Sequence, residues 1–539
     1  MVSQFEQDAL AALATIREWR NSFAPINCVP LDVLSLIPTH LSFKRDLFRV
    51  SSVCRHWRRT FVQHAALWSR LRLTASTADL HVKTLLERSR GSALDVIVAR
   101  RYPVMDRIRA ETLALFSPHT QRIRNLDFVH SRWPDIQDFS SRVVSGPLPL
   151  LRTLKIDVVY EHYQPYTWVM TPPSLSLFTS AINLKEFRLY SAGLPFLDHF
   201  FFPNLTTLEL SATPKDGFPG SQLLNFLEAS PTLRAVHVKI GADALLGDVP
   251  PGRVVTLPNV ETFNLTMVED GPGCKIAAHI SCSSARSTSL LYEQDAYSTM
   301  PPEIFPASVS WDVIARQCTA SSLDEVVLEI TTAKDPIITC ILTFLSPGPT
   351  VLTLGFKVTT GCDEDEGGEF AMTLGERHAE IVSEASMTIR THPLLANVKR
   401  LRIRDRYITR NSNQRAQIAS EVRELFESTG SLDALTLDVF DLRPYLGPFP
   451  HLPEFYGMDQ SNGFPPIKKL KIAQPLRAPA ERECMAAVVE LAKSQYAAGV
   501  PFELVVIRTE NPSLGAAERL QPWVDVVHCC SEMCVGDDC

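Results

Sequence analysis

Apolar and polar positions repeat along most of this chain in one short phrase: an apolar residue, two variable ones, an apolar one, a variable one and an apolar one. Most successive copies start between 27 and 35 residues apart. Turn residues often precede the phrase, and helix-like stretches such as 221–229 and 414–427 separate its copies. The pattern predicts one strand, one turn and one helix per unit. The strands fall at Ile123/Leu126/Phe128, Leu151/Leu154/Ile156, Leu184/Phe187/Leu189, Leu205/Leu208/Leu210, Leu233/Val236/Val238, Val260/Phe263/Leu265, Leu323/Val326/Leu328, Val351/Leu354/Phe356, Val398/Leu401/Ile403, Leu432/Leu435/Leu437 and Ile467/Leu470/Ile472.

Units of this kind have apolar residues that none of them can bury alone. Successive units are therefore expected to stack with their strands parallel, in a curved solenoid. The recurring phrase resembles an irregular leucine-rich repeat, and the two long gaps between copies are interpreted as insertions. The alternative is a set of buried strands in a doubly wound α/β domain, but recurrence of one phrase favours stacking.

A different, helical pattern occupies the region that begins at Pro30, a residue suited to the first position of a helix. Apolar residues at helical spacing form three groups: Leu31, Leu34 and Ile37; Leu47, Val50 and Val53; and Trp57 and Phe61. Three short helices of this size cannot build a self-sufficient core. We therefore expect this region to pack against the rest of the chain or against another protein.

At these residues the chain resembles the F-box family. The matching motifs are Val29-Pro30-Leu31-Asp32-Val33-Leu34, Ile37, Leu41-Ser42 with Asp46-Leu47, Val53-Cys54 with Trp57, and Leu67-Trp68. The resemblance implies contact with a Skp-type adaptor at Pro30, Leu31, Leu34, Ile37, Leu47, Val50, Val53 and Trp57, with Leu67 and Trp68 locking the module to the next part of the chain. The alternative is an ordinary three-helix start of a globular protein.

The family resemblance implies a function without catalysis. F-box proteins are substrate-recognition subunits of SCF-type cullin-RING ubiquitin ligases, in which the F-box binds the adaptor and the C-terminal repeats bind a protein substrate. The sequence contains no phosphate-binding glycine loop, Gly-x-Ser-x-Gly elbow or His-Glu-x-x-His helix, so we expect no enzyme activity and no cofactor. The rival hypothesis is an interaction scaffold that binds the adaptor without directing ubiquitination, and a hydrolase in the repeat region is a more distant one.

Composition and charge argue against several other classes of protein. The formal net charge of −7 argues against general binding of nucleic acid. The charged first 25 residues do not read as a secretory signal, and the longest apolar stretch, 336–345, is about half the length that crosses a bilayer. Twelve cysteines without paired spacing then favour reduced thiols in the cytoplasm or nucleus. His528 and the cysteines after it fit no zinc pattern, so no metal is expected.

One group of cations forms the candidate substrate site. Outward positions of the predicted strands place Arg400, Arg402 and Arg404 on one face of one strand, and Lys469 and Lys471 two strands further on. Carboxylate or phosphate groups would relieve the repulsion among these cations, so the predicted partner is acidic or phosphorylated. The alternative is a solvated charged face, neutralised by Asp405 or by the acidic run 363–366.

These interpretations define the expected organisation. The fold class is α+β: a small N-terminal three-helix F-box, then an α/β leucine-rich-repeat-like curved solenoid with a parallel sheet. The segments are an N-terminal helix (1–25), the F-box (26–73), a linker and first cap of the solenoid (74–119), the substrate-binding repeats (120–510) and a C-terminal tail (511–539).

Overall fold

The chain divides by its contacts into two compact units. The first comprises Met1–Ala192 and Phe196–Glu209, and the second comprises Gly193–Pro195 and Leu210–Cys539. The computed structural model describes residues 4–30, 33, 44–100, 107–144, 146–158, 181–191, 201–212, 220–241, 249–250, 252–268, 274–277, 279–282, 284–294, 325–332, 337–345, 351–359, 398–405, 420, 432–439, 467–476, 480–497, 499, 501–509 and 516–530.

The first unit begins with helices. They are α1 (Gln4–Ser22), a 3-10 turn (Pro25–Cys28), α2 (Lys44–Ser51), α3 (Arg55–Gln63) and a second 3-10 turn (Ala65–Trp68). The second and third helices expected from the apolar spacing are therefore confirmed. Of the helix expected to start at Pro30, the structure describes only Pro30, which is not helical, and Val33, which is helical; its other residues lie outside the described ones.

The first unit continues with alternating strands and helices. Their bounds are β1 (Arg70–Leu73), α4 (Asp79–Ser89), β2 (Leu94–Ala99), α5 (Ala110–Ala114), a 3-10 turn (Ser117–Arg122), β3 (Ile123–Ser131), α6 (Trp133–Val143), β4 (Thr153–Val158), β5 (Glu186–Ser191) and β6 (Thr207–Ala212), of which the first three residues belong to this unit. Strands β1 to β5 pair in chain order, and all of these pairs are parallel.

The register of these strands explains the repeating phrase. Leu126 on β3, Leu154 on β4 and Phe187 on β5 lie side by side, and all three are fully buried. The first residue of the phrase is also buried in these three strands: Ile123 begins β3, and Leu151 and Leu184 lie just before β4 and β5. The apolar phrase thus marks the buried face of the sheet, as expected, and the residues between face outward.

The second unit has more strands. Its elements are α7 (Gly220–Glu228), β7 (Ala235–Gly241), β8 (Val255–Thr256), β9 (Thr262–Val268), α8 (Cys274–Ala277), β10 (Ile280–Ser281), β11 (Ser287–Gln294), β12 (Glu325–Thr332), β13 (Ile337–Leu345), β14 (Val351–Thr359), β15 (Arg400–Asp405), β16 (Leu432–Val439), β17 (Ile467–Leu476), α9 (Ala480–Ala497), β18 (Phe502–Thr509), α10 (Ala516–Leu520) and β19 (Val524–Cys530). The short strands β8 and β10 form a separate parallel pair.

The order of the long strands departs from simple stacking. Strands β7, β9, β11 and β14 pair in parallel, and so do β12 and β15 to β19. Between these groups, β13 is antiparallel to both β12 and β14. Because four and five residues join these three strands, the connections are too short for a parallel crossover. The expectation of parallel pairing throughout is wrong at this point.

Several of the described strands lie where no phrase was recognised, among them β11, β13, β18 and β19. Strand β11 falls in the longest gap between phrases, where Ser287 replaces the first apolar residue although Leu290 is still buried. Strands β18 and β19 follow the last recognised phrase, and helix α10 and strand β19 lie within the residues assigned to the tail. N-terminal helices followed by mainly parallel strands make the chain an α+β protein.

Candidate adaptor surface and charged sheet faces

The small core of the N-terminal helices is built on α3. The Sγ atom of Cys54 accepts a hydrogen bond from the backbone N–H of Trp57 at 3.5 Å and caps the first turn of this helix. Trp57 and Phe61, four residues apart, are both buried and pack edge to face with their ring centroids 5.5 Å apart. Val50, Cys54 and Leu67 pack against this pair. The sequence spacing therefore produces a real, if small, apolar cluster.

A second aromatic group joins these helices to the following strands and helix. Trp68 is completely buried, and its indole N–H donates to the carbonyl oxygen of Phe61 at 2.7 Å. The edge of Phe48 packs on Trp68 at 5.6 Å, and the guanidinium of Arg88 on α4 lies 4.5 Å from the ring centroid. Trp68 thus connects α2, α3 and α4.

Helix α1 is attached to the same helices through polar contacts. The carboxylate of Glu18 lies 3.5 Å from the guanidinium of Arg55 and 3.6 Å from that of Arg59. The indole N–H of Trp57 donates to the side-chain oxygen of Asn27 at 2.6 Å. These contacts tie α1 and the turn after it to α3.

The residues assigned to the adaptor surface fall into distinct environments. Pro30 is exposed and Val53 is 63% exposed, whereas Val50 and Leu67 are half-buried and Trp57 and Trp68 are buried. Leu31, Leu34 and Ile37 lie outside the described residues, and Leu47 lies on α2 with its side chain outside them.

Among the residues of this region that the structure describes, three further apolar ones are exposed: Ile26, Val33 and Phe48. The sequence analysis did not assign them to the adaptor surface. Phe48 was missed because the spacing of Leu47, Val50 and Val53 defines one helix face and Phe48 lies off that face. The sequence feature that could have identified Phe48 is an aromatic side chain next to that face.

Residues 26–74 match the F-box-like family model. This match confirms the resemblance to the F-box at the N-terminal helices, and the chain carries an F-box-like domain. The domain spans α2, α3, the turn that contains Trp68, and β1. No curated protein matches the chain in sequence.

The basic residues assigned to substrate binding lie on one face of the second unit. Strand register places Arg400 beside Ala434 and Lys469, and places Arg402 beside Thr436 and Lys471. Neighbouring strands are about 4.8 Å apart, so Arg402 and Lys471 lie about 10 Å apart with Thr436 between them. The structure therefore brings the two basic strands to either side of small side chains on β16.

Acidic residues flank two of the three arginines. Arg404 lies in register with Glu329 on β12 and Asp438 on β16, and its Nε atom is 3.8 Å from the carboxylate of Asp438. Arg400 lies in register with Glu325. Asp405 and the run 363–366, which the sequence analysis considered as neutralising groups, give no described side-chain contact here because those side chains lie outside the described residues.

The corresponding face of the first unit is an internally paired charge network. Arg188 on β5 contacts Glu186 at 2.5 Å and Glu209 on β6 at 3.0 Å, while Lys155 lies 3.8 Å from Glu186. Burial raises the pKa of Tyr190 on the same strand, and its hydrogen bond to Glu209 raises it further. These groups satisfy one another, so this face is a weaker candidate for anion binding than the second unit.

Asp127 on β3 belongs to this network. Burial is the main cause of a raised pKa at its carboxyl group, and Asp157 adds to it, while Lys155, Arg188 and Arg72 oppose it. His130, two residues after the strand bulge begins, has a positive φ of 51° and places its ring nitrogen 2.9 Å from Asp157. The bulge turns His130 toward the neighbouring strand.

Two other observations concern sites that the sequence raised. Within the described residues, no group of three or more His, Cys, Asp or Glu side chains is arranged to hold a metal ion; His528, Cys529 and Cys530 lie on β19, and the later cysteines lie outside those residues. Among the helices of the described part of the chain, none has both the length and the apolar character needed to cross a membrane.

Proposed function

We propose that this protein is the substrate-recognition subunit of an SCF-type cullin-RING ubiquitin ligase. The observation that supports the proposal is the F-box-like match at residues 26–74, on a helical module whose tryptophans anchor it to the rest of the first unit. In this role the F-box-like domain binds a Skp-type adaptor, and the strand-rich remainder binds a protein substrate in the cytoplasm or nucleus.

The proposed mechanism is proximity. A receptor that holds a lysine of the substrate beside the ubiquitin-transfer machinery raises the local concentration of the acceptor. No reactive side chain is required on this chain, so the proposal is a receptor without catalytic activity.

Exposure divides the adaptor residues by role. Pro30, Val53 and Phe48 present surface to a partner, whereas Trp57 and Trp68 are buried and hold the helices in position. A partner that covers exposed apolar side chains gains binding energy from their burial, about 25 cal/mol for each Å². We therefore assign direct contact to the exposed group and a supporting role to the tryptophans.

The net charge of the F-box-like domain also supports the proposed binding of an adaptor. Residues 26–74 contain eight Lys and Arg and two Asp, a formal charge of +6, in a chain whose net charge is −7. A module this basic within an acidic protein favours a partner that is acidic where it meets α2 and α3, because complementary potentials accelerate association. The surface expected on the adaptor is therefore both apolar and acidic.

For the remainder of the chain we propose an irregular leucine-rich-repeat-like solenoid that presents its outward face to the substrate. The observation behind this is the run of parallel strands whose buried register repeats the same apolar phrase. Arg402, Lys469 and Lys471 surround Ala434 and Thr436 on β16, where small side chains leave room for a ligand. An acidic or phosphorylated segment is the proposed ligand of these cations.

The adaptor proposal is tested with one exposed apolar residue. Val53→Asp in the full chain is expected to reduce recovery of a purified Skp-type adaptor at least tenfold, because it places a carboxylate in the apolar contact. Leu80→Asp is the matched control, since Leu80 is also exposed but lies on α4 outside the domain. Equal adaptor recovery by both variants and the unsubstituted protein would contradict the proposal.

Recovery of the adaptor alone does not separate a ligase receptor from a scaffold. The complex captured from cells through the unsubstituted protein is expected to contain neddylated cullin and to gain ubiquitinated partners when the proteasome is inhibited. Adaptor without cullin would instead indicate the scaffold.

A further inference from the structure

Side-chain hydrogen bonds tie the turns that precede neighbouring strands, in both units. In each of these bonds, the residue just before the first buried residue of a strand donates to a backbone carbonyl oxygen of the preceding turn. The described bonds run from Arg122 to Ser92, Asn183 to Pro149, Asn204 to Ile182, Asn259 to Pro231 and Ser284 to Pro258. Before β4 the same position holds Leu150, whose side chain cannot donate a hydrogen bond and is 46% exposed. An apolar surface residue therefore interrupts the series.

The residue just after the first buried residue of a strand shows a second regularity, which concerns charge. In the second unit, two runs of three neighbouring strands have an acidic residue between two basic ones at this position. The two runs are Arg234, Glu261 and Arg286 on β7, β9 and β11, and Lys399, Asp433 and Lys468 on β15, β16 and β17. Opposite charges on neighbouring strands stabilise one another.

The corresponding run of the first unit contains three basic residues. The backbone N–H of Arg152 donates to the carbonyl oxygen of Arg124 at 2.7 Å, and that of Lys185 donates to the carbonyl oxygen of Arg152 at 2.8 Å. Arg124 pairs with Asp95 at 3.0 Å. Within the described part of the chain, no carboxylate pairs with Arg152 or Lys185, and both side chains are exposed. Arg152 thus occupies the place that an acidic residue takes in the second unit.

Both departures lie in the same two turns. Leu150 and Arg152 enclose the first buried residue of β4, and the turn before β5 adds Ile182, which is 59% exposed, and Lys185. The bond from Asn183 to the carbonyl oxygen of Pro149, 2.8 Å long, holds the two turns side by side. We call Leu150, Arg152, Ile182 and Lys185 the turn patch. Positions at which a protein breaks its own local rules are expected to be functional sites.

We propose that the turn patch binds an acidic amphipathic helix of a partner protein. Carboxylates of the partner would form charge-assisted hydrogen bonds with Arg152 and Lys185 and relieve the repulsion between these cations. Apolar side chains of the same helix face would cover Leu150 and Ile182. The turn patch is distinct from the adaptor surface and from the cations of the second unit, so the proposal does not depend on the proposed function.

Strand spacing favours a helix over an extended segment. Arg152 and Lys185 lie on neighbouring strands, which are about 4.8 Å apart. Residues three apart on a helix are separated by about 4.5 Å along its axis, whereas alternate residues of an extended segment are about 6.6 Å apart. A helix lying across the starts of β4 and β5 therefore brings acidic residues three positions apart close to both cations.

The test uses the full chain and a fluorescent 18-residue peptide designed to be helical, with a leucine face and glutamates along one flank of that face. Binding is measured by fluorescence anisotropy at low ionic strength. Replacing Arg152→Glu and Lys185→Glu together is expected to weaken binding at least tenfold, because charge complementarity is reversed. The matched control replaces Arg234→Glu and Lys468→Glu, which changes the net charge equally at corresponding positions of the second unit, and is expected to stay within twofold.

Leu150→Asn separates binding from folding. The asparagine supplies the donor that Asn183 and Asn204 supply in the next two turns, so the unfolding temperature is expected to stay the same or rise. Peptide binding is nevertheless expected to weaken at least threefold, because an exposed apolar contact is lost. Weaker binding with undiminished stability is a result that a purely structural role of Leu150 would not give.

Two results would overturn the proposal. The first is a peptide that does not bind, or that binds the Arg152→Glu, Lys185→Glu variant as tightly as the unsubstituted protein. The second is sedimentation with phosphatidylserine vesicles that requires Arg152 and Lys185 while the peptide does not bind, which would make an anionic membrane the occupant. All variants are expected to recover the adaptor normally, so the outcome at the turn patch and the outcome for the adaptor proposal are measured separately.

Discussion

Replacing Trp68 should detach the N-terminal helices from the rest of the first unit. The side chain is completely buried, donates a hydrogen bond to the carbonyl of Phe61, and is covered by Phe48 and Arg88. Removal of a buried tryptophan side chain to the β-carbon costs about 3–5 kcal/mol. Trp68→Phe keeps most of the ring but removes the indole donor, so the Phe61 carbonyl keeps only its longer hydrogen bond from the backbone N–H of His64 at 3.3 Å; the expected cost is about 1–2 kcal/mol.

Hydrogen exchange measures this loss locally, which matters because a chain of two units does not unfold in one step. Since each 1.4 kcal/mol is a tenfold change, Trp68→Ala is expected to accelerate exchange of the amides in 44–63 by on the order of 10²–10³-fold, and Trp68→Phe by about 5- to 30-fold. Trp19→Ala is the matched control and should leave these amides unchanged, because Trp19 is exposed on α1. Unaltered exchange in Trp68→Ala would refute the anchoring role of Trp68.

Three further predictions concern single residues. Cys54→Ala removes the cap of α3 and should accelerate exchange at the amide of Trp57 about 2- to 5-fold, a cost of about 0.5–1 kcal/mol; no change would show that the sulfur contributes nothing. Lys471→Glu should reduce binding of acidic or phosphorylated peptides captured by the second unit, with Lys83→Glu on α4 as a control, and an identical set of captured peptides would argue against the site. The pKa of Asp127 is raised in the folded protein. Its ionised form therefore lowers the free energy of unfolding at pH values above that pKa, and this loss vanishes at pH values below the pKa of Asp127 in the unfolded chain. Asp127→Asn should therefore raise the unfolding temperature of the first unit at neutral pH and not in acid, and equal effects at both would contradict this.

Short-range sequence patterns predicted most of the buried strands. The phrase Leu151/Leu154/Ile156 predicts a buried strand because alternation and spacing alone place those side chains on one face, and all three are buried. The same logic missed β11, where Ser287 breaks the phrase while Leu290 still packs inward. Pairing order needs more than the phrase, since β13 carries no copy of it and only the short connections on either side place it between β12 and β14.

The candidate sites were predictable to different extents. Trp57 and Trp68 belong to the F-box motif, but the motif does not reveal that both are buried while Val53 is exposed. Grouping Arg400, Arg402 and Arg404 on one face follows from alternation. The acidic residues Glu329 and Asp438 beside Arg404 come from strands distant in sequence, so only the register identifies them.

The three strands β12 to β14 form a block inserted between two parallel neighbours, β11 and β15. Residues that lie side by side across the block all belong to the same face of the sheet: Ser289 on β11, Thr353 on β14, Thr343 on β13, Val327 on β12 and Arg402 on β15. Excising the block would bring β11 against β15 with inward and outward side chains still in phase. A sheet built in this way can gain or lose a block of antiparallel strands during evolution. The extent of its outer surface would then change while the packing of its interior stays the same.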